Sequence, residues 1–236
     1  MGIFLSELIG TAILVLLGNG VVANVILKHT KGHNGGWIVI TFGWAIAVFV
    51  AVFVAAKGSG AHINPAITLA FAYLGKISWA LVPEYVAGQF LGGMAGATLV
   101  WVCYRSHYLQ TEDTGTKLAT FATMPAINSP VNNFITEMIA TFILVFAVLF
   151  IAAPSSSLGA LDALPVALLV LGLGLSLGGP TGYAINPVRD LPPRIMHALL
   201  PFGTKGPSGW GYSWVPVLGP IVGGILAAIC YGLVEG

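Results

Sequence analysis

Six apolar runs, most of them twenty residues or longer, divide this 236-residue chain. Most of the charged residues lie between them. A helix rises about 1.5 Å per residue, so roughly 20 apolar residues cross a hydrocarbon core of about 30 Å. Inside that core each backbone N–H and C=O needs an internal partner, which leaves helices or a closed barrel. These runs are twice as long as a barrel strand needs and predict an all-α membrane protein. The charged fraction agrees: 7% here, against about 25% in a typical soluble domain. A net charge of +1 argues against nucleic acid as a partner.

The predicted spans are residues 4–27, 37–56, 79–104, 133–153, 163–178 and 214–234. The first begins almost at the N-terminus, with no basic segment or small-residue cleavage site before it. It therefore reads as a retained span and not a signal peptide. Gly18-Asn19-Gly20 is a small and amide-bearing interruption within it. Pro154 and the serines after it close the fourth span. Trp37 is a candidate interface anchor. Cys103 and Cys230 read as free thiols.

Two shorter apolar pieces, residues 64–73 and 186–200, follow clusters rich in Gly, Pro and Ser or Thr. The first is about ten residues, or roughly 15 Å as a helix, half the hydrocarbon core. Each opens with Asn-Pro: Gly-Ala-His-Ile-Asn-Pro-Ala over residues 60–66, and Gly-Tyr-Ala-Ile-Asn-Pro-Val over residues 182–188. Asn is a favoured N-cap, and Pro suits the first helical position because its missing N–H would have no partner there. Asn64-Pro65-Ala66 and Asn186-Pro187-Val188 therefore each start a helix. An Asn-Pro pair alone is an ordinary cap. Two buried in apolar surroundings are tolerated where broken backbone lines a polar cavity.

The halves repeat. Residues 4–15 align with 134–145, with seven of twelve positions identical, and the Asn-Pro copies align at an offset of 122. The only long polar segment, residues 105–132, joins repeat 1 (1–104) to repeat 2 (133–236) within one domain. Three full spans per repeat is an odd number, so the second repeat enters the bilayer from the opposite face. The two short helices then meet tip to tip. Their N-termini place roughly half a positive charge each near the centre and repel cations. Asn64 and Asn186 can donate N–H groups to a passing hydroxyl, and the extended segments before them can offer carbonyls. Gly88, Gly92 and Gly96, with Gly219, Gly223 and Ala227, are spaced for close helix packing.

These paired motifs resemble the aquaporin family, the major intrinsic proteins, across essentially the whole chain. Glu7 and Glu137 at matching places in the repeats fit as well. Asp190 after Arg189, with the long following segment, is similar to the glycerol facilitator branch. The resemblance implies six tilted transmembrane helices, two re-entrant half-helices, one pore per subunit and a homotetramer. It also implies a selectivity filter of Trp44, Gly174, Tyr183 and Arg189. Trp44 and Tyr183 would form an apolar corner, Arg189 the donor, and Gly174 would leave room where a water-selective channel usually has His. Val188, in place of the usual Ala, could narrow the midplane, and Tyr183 adds a hydroxyl to the apolar corner.

A passive channel follows as the expected function: glycerol foremost, with water and small neutral solutes such as other polyols, urea or undissociated lactic acid. The alternative is a proton- or ion-coupled secondary transporter, which also uses inverted repeats and broken helices. Glu7 and Glu137 could be its proton-coupling pair, or could brace the half-helices through freed N–H groups. His62 could gate by pH or brace its loop, and Asp190 is expected to brace the loop after Arg189. No nucleotide loop, hydrolase motif or metal cluster occurs, so no enzymatic activity, cofactor or metal is expected. The expected location is the cell membrane. The few Lys and Arg residues favour termini outside, whereas the resemblance implies cytoplasmic termini.

Overall fold

A computed structural model describes residues 1–151 and 157–235. The expected end of the fourth span at Ala153, and Pro154 to Ser156 after it, lie outside the described residues. Among the described residues, six helices are long and apolar enough to cross a membrane. In chain order the helices are α1 (Ile3–Ile26), α2 (Trp37–Ser59), α3 (Pro65–Tyr73), α4 (Val82–Gln110) and α5 (Thr114–Ala119). Then come α6 (Pro130–Phe150), α7 (Leu164–Leu177), α8 (Pro187–Leu199) and α9 (Val215–Glu235). No strand occurs among the described residues. The chain is a multi-pass membrane protein.

The expected connection over 105–132 is less open than its polarity predicts. α4 runs six residues past the last predicted apolar position, α6 starts at Pro130, and α5 lies between them. Outside the hydrocarbon a helix continues on polar residues, so loss of apolarity does not mark its end.

The repeat governs the packing. The most extensive contacts are α1 on α4 and α6 on α9, the matching pair in each half. Glycine makes both possible. A Cβ on Gly88 would lie 2.5 Å from the Phe4 carbonyl oxygen, and one on Gly96 would lie 2.5 Å from that of Ala12. Gly92 meets the Leu8 carbonyl in the same way. Replacing Gly96 by Leu is expected to drive α1 and α4 apart at a cost of about 3 kcal/mol. Thermal unfolding in detergent reads this loss. Gly172→Ala serves as the comparison, since nothing lies within 4 Å of that site. Equal unfolding temperatures for the two variants would contradict this account of the α1–α4 contact.

The two short helices cross between the halves. α3 packs on α9 as well as α4, and α8 packs on α4 as well as α9. Each is seated on a further glycine. A Cβ on Gly93 would lie 2.8 Å from the Val188 carbonyl oxygen, and one on Gly224 would lie 2.9 Å from that of Ala66. Pro192 has no N–H to satisfy the Val188 carbonyl, so that oxygen is free to lie against α4. The outward faces are apolar, with Leu91, Leu99, Val102, Leu168 and Leu226 all exposed. In a bilayer that is a stable surface.

Candidate functional site

The chain leading into each half-helix is extended, and it alternates into the left-handed region. Gly60, Ala61 and Ile63 have φ of 80°, 54° and 42°. Gly182, Tyr183 and Ile185 have 80°, 37° and 45°. For a β-branched residue this conformation is strained and persists only where its surroundings enforce it. Two buried carboxylates do so. Glu7 accepts from the backbone N–H groups of His62 at 3.0 Å and Ile63 at 2.6 Å. It also accepts from the Ser59 hydroxyl at 2.5 Å and the Gln89 amide at 2.7 Å. Glu137 accepts from the N–H groups of Ala184 at 2.9 Å and Ile185 at 2.8 Å.

A trans peptide points its N–H and its C=O in opposite directions. With these N–H groups turned to the glutamates, the carbonyls of Ala61, His62, Tyr183 and Ala184 turn away from them. These residues line a narrow lumen. Asn64 and Asn186 face it too, together with Trp44 and Arg189. Leu14, Val48, Ile67 and Leu144 make much of the remaining wall apolar. The lining therefore combines acceptors and donors with hydrocarbon.

Asn64 and Asn186 cap their helices as the sequence predicts. The Asn64 side-chain oxygen Oδ1 accepts from the Ala66 N–H at 2.9 Å, and that of Asn186 from the Val188 N–H at 3.1 Å. Their amide groups do more than face the lumen. Asn64 Nδ2 donates to the Ile185 carbonyl and Asn186 Nδ2 to the Ile63 carbonyl, both at 2.8 Å. The halves thus exchange hydrogen bonds at their tips. Each amide carries two N–H groups, so one is used across the repeat and one is left for the lumen. Pro65 and Pro187 hold the first helical positions.

Arg189 is buried, and its guanidinium carbon lies 4.1 Å from the centre of the Trp44 ring. Its Nη1 donates to the Asn19 side-chain oxygen at 3.3 Å. Gly174 behaves differently from the expectation. It leaves room, but the ring of Tyr183 takes that room, and a Cβ on Gly174 would lie 2.7 Å from Tyr183 Cζ. Trp37 stands edge-on behind this ring at 5.8 Å and donates its indole N–H to the Gly174 carbonyl at 3.0 Å. Trp37 is thereby tied to the wall of the constriction. The Tyr183 hydroxyl is buried and has no hydrogen-bond partner among the described residues. Val188 is 2% exposed and is not among the residues lining the lumen.

A buried hydroxyl with no partner costs about 1–3 kcal/mol. Tyr183→Phe is therefore expected to raise the unfolding temperature in detergent by a few degrees. Solute flux should persist, because the ring that fills the space before Gly174 is kept. A lower unfolding temperature would show that the hydroxyl has a partner after all.

His62 shares a hydrogen bond with Thr68 at 3.1 Å and stacks on Tyr85 at 4.4 Å. Asp190 accepts from both the N–H and the hydroxyl of Thr123 at 2.7 Å. It also pairs with Arg194 at 2.8 Å, both side chains being fully buried. Arg194 was not singled out from the sequence. It donates to the carbonyls of Thr123 and Ser208 at 2.8 Å and of Gly209 at 3.0 Å, clamping two loops over α8. The signal was the spacing: an Arg four residues after Asp190 lies on the same helix face. Ser59, Gln89, Gly93 and Gly224 were also missed. The double glycines Gly92-Gly93 and Gly223-Gly224 could have shown the last two.

Comparisons with known proteins agree with this geometry. Residues 1–231 match the family described as Major intrinsic protein. The chain is 52% identical over 231 residues to the probable glycerol uptake facilitator protein of Thermotoga maritima, covering 98% of each. It is 50% identical over 228 residues to the glycerol uptake facilitator protein of Streptococcus pneumoniae, covering 97% of each. Among solved structures it resembles the aquaglyceroporin from Plasmodium falciparum with a TM-score of 0.85 and 31% identity. That match covers 98% of this chain and 95% of the other.

Proposed function

The chain belongs to the major intrinsic protein family, and from that premise we propose a pore that carries glycerol foremost and water beside it. It is a passive channel and not an enzyme. The observation that carries the choice of solute is a lining that combines hydrogen-bonding groups with hydrocarbon. Glycerol is a three-carbon chain with hydroxyls along one edge. The carbonyls of Ala61, His62, Tyr183 and Ala184 accept from those hydroxyls, while Asn64, Asn186 and Arg189 donate to their oxygens. The carbon edge lies against Leu14, Val48, Ile67 and the Trp44 ring. Each hydrogen bond lost from water is thereby replaced inside a membrane.

Trp44, Tyr183 and Arg189 form the filter, with Gly174 acting through Tyr183. Asn64, Pro65 and Ala66 with Asn186, Pro187 and Val188 form the midplane. Glu7, Glu137, His62 and Asp190 brace it. Cations are excluded by two helix N-termini meeting at Asn64 and Asn186 and by the fixed charge of Arg189. The carboxylates of Glu7 and Glu137 are committed to N–H groups of the pore segments. A proton-coupled cycle would have to break those bonds at each turn. Other small neutral solutes, among them small polyols, urea and undissociated lactic acid, fit the same path. The chain forms one pore per subunit, residues 1–104 and 133–236 being its two repeats. It assembles as a homotetramer in the cell membrane with cytoplasmic termini.

Purified protein in liposomes, exposed to a glycerol gradient and followed by light scattering, tests the solute. Re-swelling should be much faster than in protein-free liposomes. Equal rates would contradict glycerol as a substrate.

A further inference from the structure

We propose that Asn19 is a positioning residue of the filter, fixing the Arg189 guanidinium to the lumen wall and coupling it to the segment between the two halves. The proposal rests on the channel reading above. Asn19 lies in α1, within the Gly18-Asn19-Gly20 interruption, and is 1% exposed. A buried amide in a membrane helix needs partners for both ends. Its oxygen accepts from Arg189 Nη1 at 3.3 Å, and its Nδ2 donates to the Phe121 carbonyl at 3.3 Å. That carbonyl belongs to the connection between the repeats. Two residues on, Thr123 is held by Asp190, the neighbour of Arg189. Residues 121–123 are therefore fastened to the filter by two routes, one of them through Asn19.

The preceding residue sets the opposite corner. A Cβ on Gly18 would collide with the Trp44 ring. Trp44 in turn lies 4.1 Å beneath the Arg189 guanidinium. Adjacent residues of α1 thus seat both Trp44 and Arg189. Without Asn19 the guanidinium keeps its charge but loses its side-chain acceptor, and the lumen becomes the place to find another. The stacking of Arg189 on Trp44 then ceases to be fixed.

The test uses full-length protein in liposomes and reads the ratio of glycerol to xylitol permeability. Wild type, Asn19→Leu, Asn19→Asp, Arg189→Val and the Asn19→Leu/Arg189→Val pair are compared. Asn19→Leu should lower the ratio about fivefold, the scale of one ordinary hydrogen bond, in keeping with the 3.3 Å separation. Asn19→Asp keeps the acceptor for Arg189 and loses the donor for Phe121, so its ratio should stay within about twofold of wild type. In the Arg189→Val background, adding Asn19→Leu should change the ratio by less than about twofold. An unchanged ratio in Asn19→Leu, a loss in Asn19→Asp equal to that in Asn19→Leu, or full additivity with Arg189→Val would overturn the proposal. Each would assign Asn19 to loop packing alone. If Asn19→Leu does not reconstitute, Asn19→Ala is judged by the same three criteria. Wild-type vesicles are read first: no glycerol flux there would refute the channel reading itself, before any variant bears on Asn19.

Discussion

Liposomes carrying Arg189→Val should lose most of their preference for glycerol over longer polyols, the glycerol-to-xylitol ratio falling by roughly ten- to a hundredfold. The reasoning starts from placement. A guanidinium is always charged, and at this depth in a membrane it is expensive to hold. Here it is held by the Asn19 oxygen at 3.3 Å and the Trp44 ring at 4.1 Å. Stacked on the Trp44 ring, it forms with that ring one wall of the path, donor groups beside an apolar face. Val removes both the donor and much of the bulk. Xylitol flux should rise while glycerol flux changes less, so the effect lies in discrimination and not in folding. The same variant should admit cations more readily, because the fixed charge nearest the midplane dipoles is gone. Unchanged ratios for glycerol and xylitol would remove Arg189 from the constriction.

Glu7→Ala should lower the unfolding temperature in detergent by on the order of 10 °C. Four donors converge on that carboxylate: two backbone N–H groups, the Ser59 hydroxyl and the Gln89 amide. Each buried donor left without a partner costs about 1–3 kcal/mol. For a chain of this length about 1 kcal/mol shifts the midpoint by roughly 2–4 °C. Ile63 is held at φ 42° by these bonds and by the Asn186 amide on its carbonyl. Once released, it relaxes and takes the tip of α3 with it, so flux should fall along with stability. Glu137→Ala removes the acceptor for the N–H groups of Ala184 and Ile185 and should cost less. A Glu7→Ala protein as stable as a lipid-facing control would show that the carboxylate is not what holds the segment.

Much of this was legible in the sequence because it follows from local chemistry. Six apolar runs give six spanning helices, and Asn before Pro gives a capped helix start in each half. The duplicated residues 4–15 and 134–145 announced that α1 and α6 hold matching places in the two halves. What was not legible depends on partners distant in the chain. The exchange of amide bonds between Asn64 and Ile185 requires both tips in place. Gly174 reads alone as an open space, and only the packed structure puts the Tyr183 ring in it. Arg194 reaches Asp190 by the spacing of four, but no spacing rule joins it to its other acceptors, Thr123 and the loop at 208–209. α5 is six residues long, too short for a periodic signal. Its cap, the Asp113 carboxylate accepting from the Thr116 N–H at 2.6 Å, is hidden in a polar stretch.

Passive passage is the central claim, and flux against an imposed pH gradient tests it most directly. Liposomes holding the protein are given glycerol at equal concentration on both sides, then a pH jump, with and without a proton ionophore. A second series applies a glycerol gradient at rising concentrations. A pore lined by backbone carbonyls and amides predicts no net movement after the jump, and a rate in the second series that rises in proportion to the gradient and ignores the ionophore. Accumulation of glycerol inside the vesicles, driven by the pH gradient and abolished by the ionophore, would contradict it.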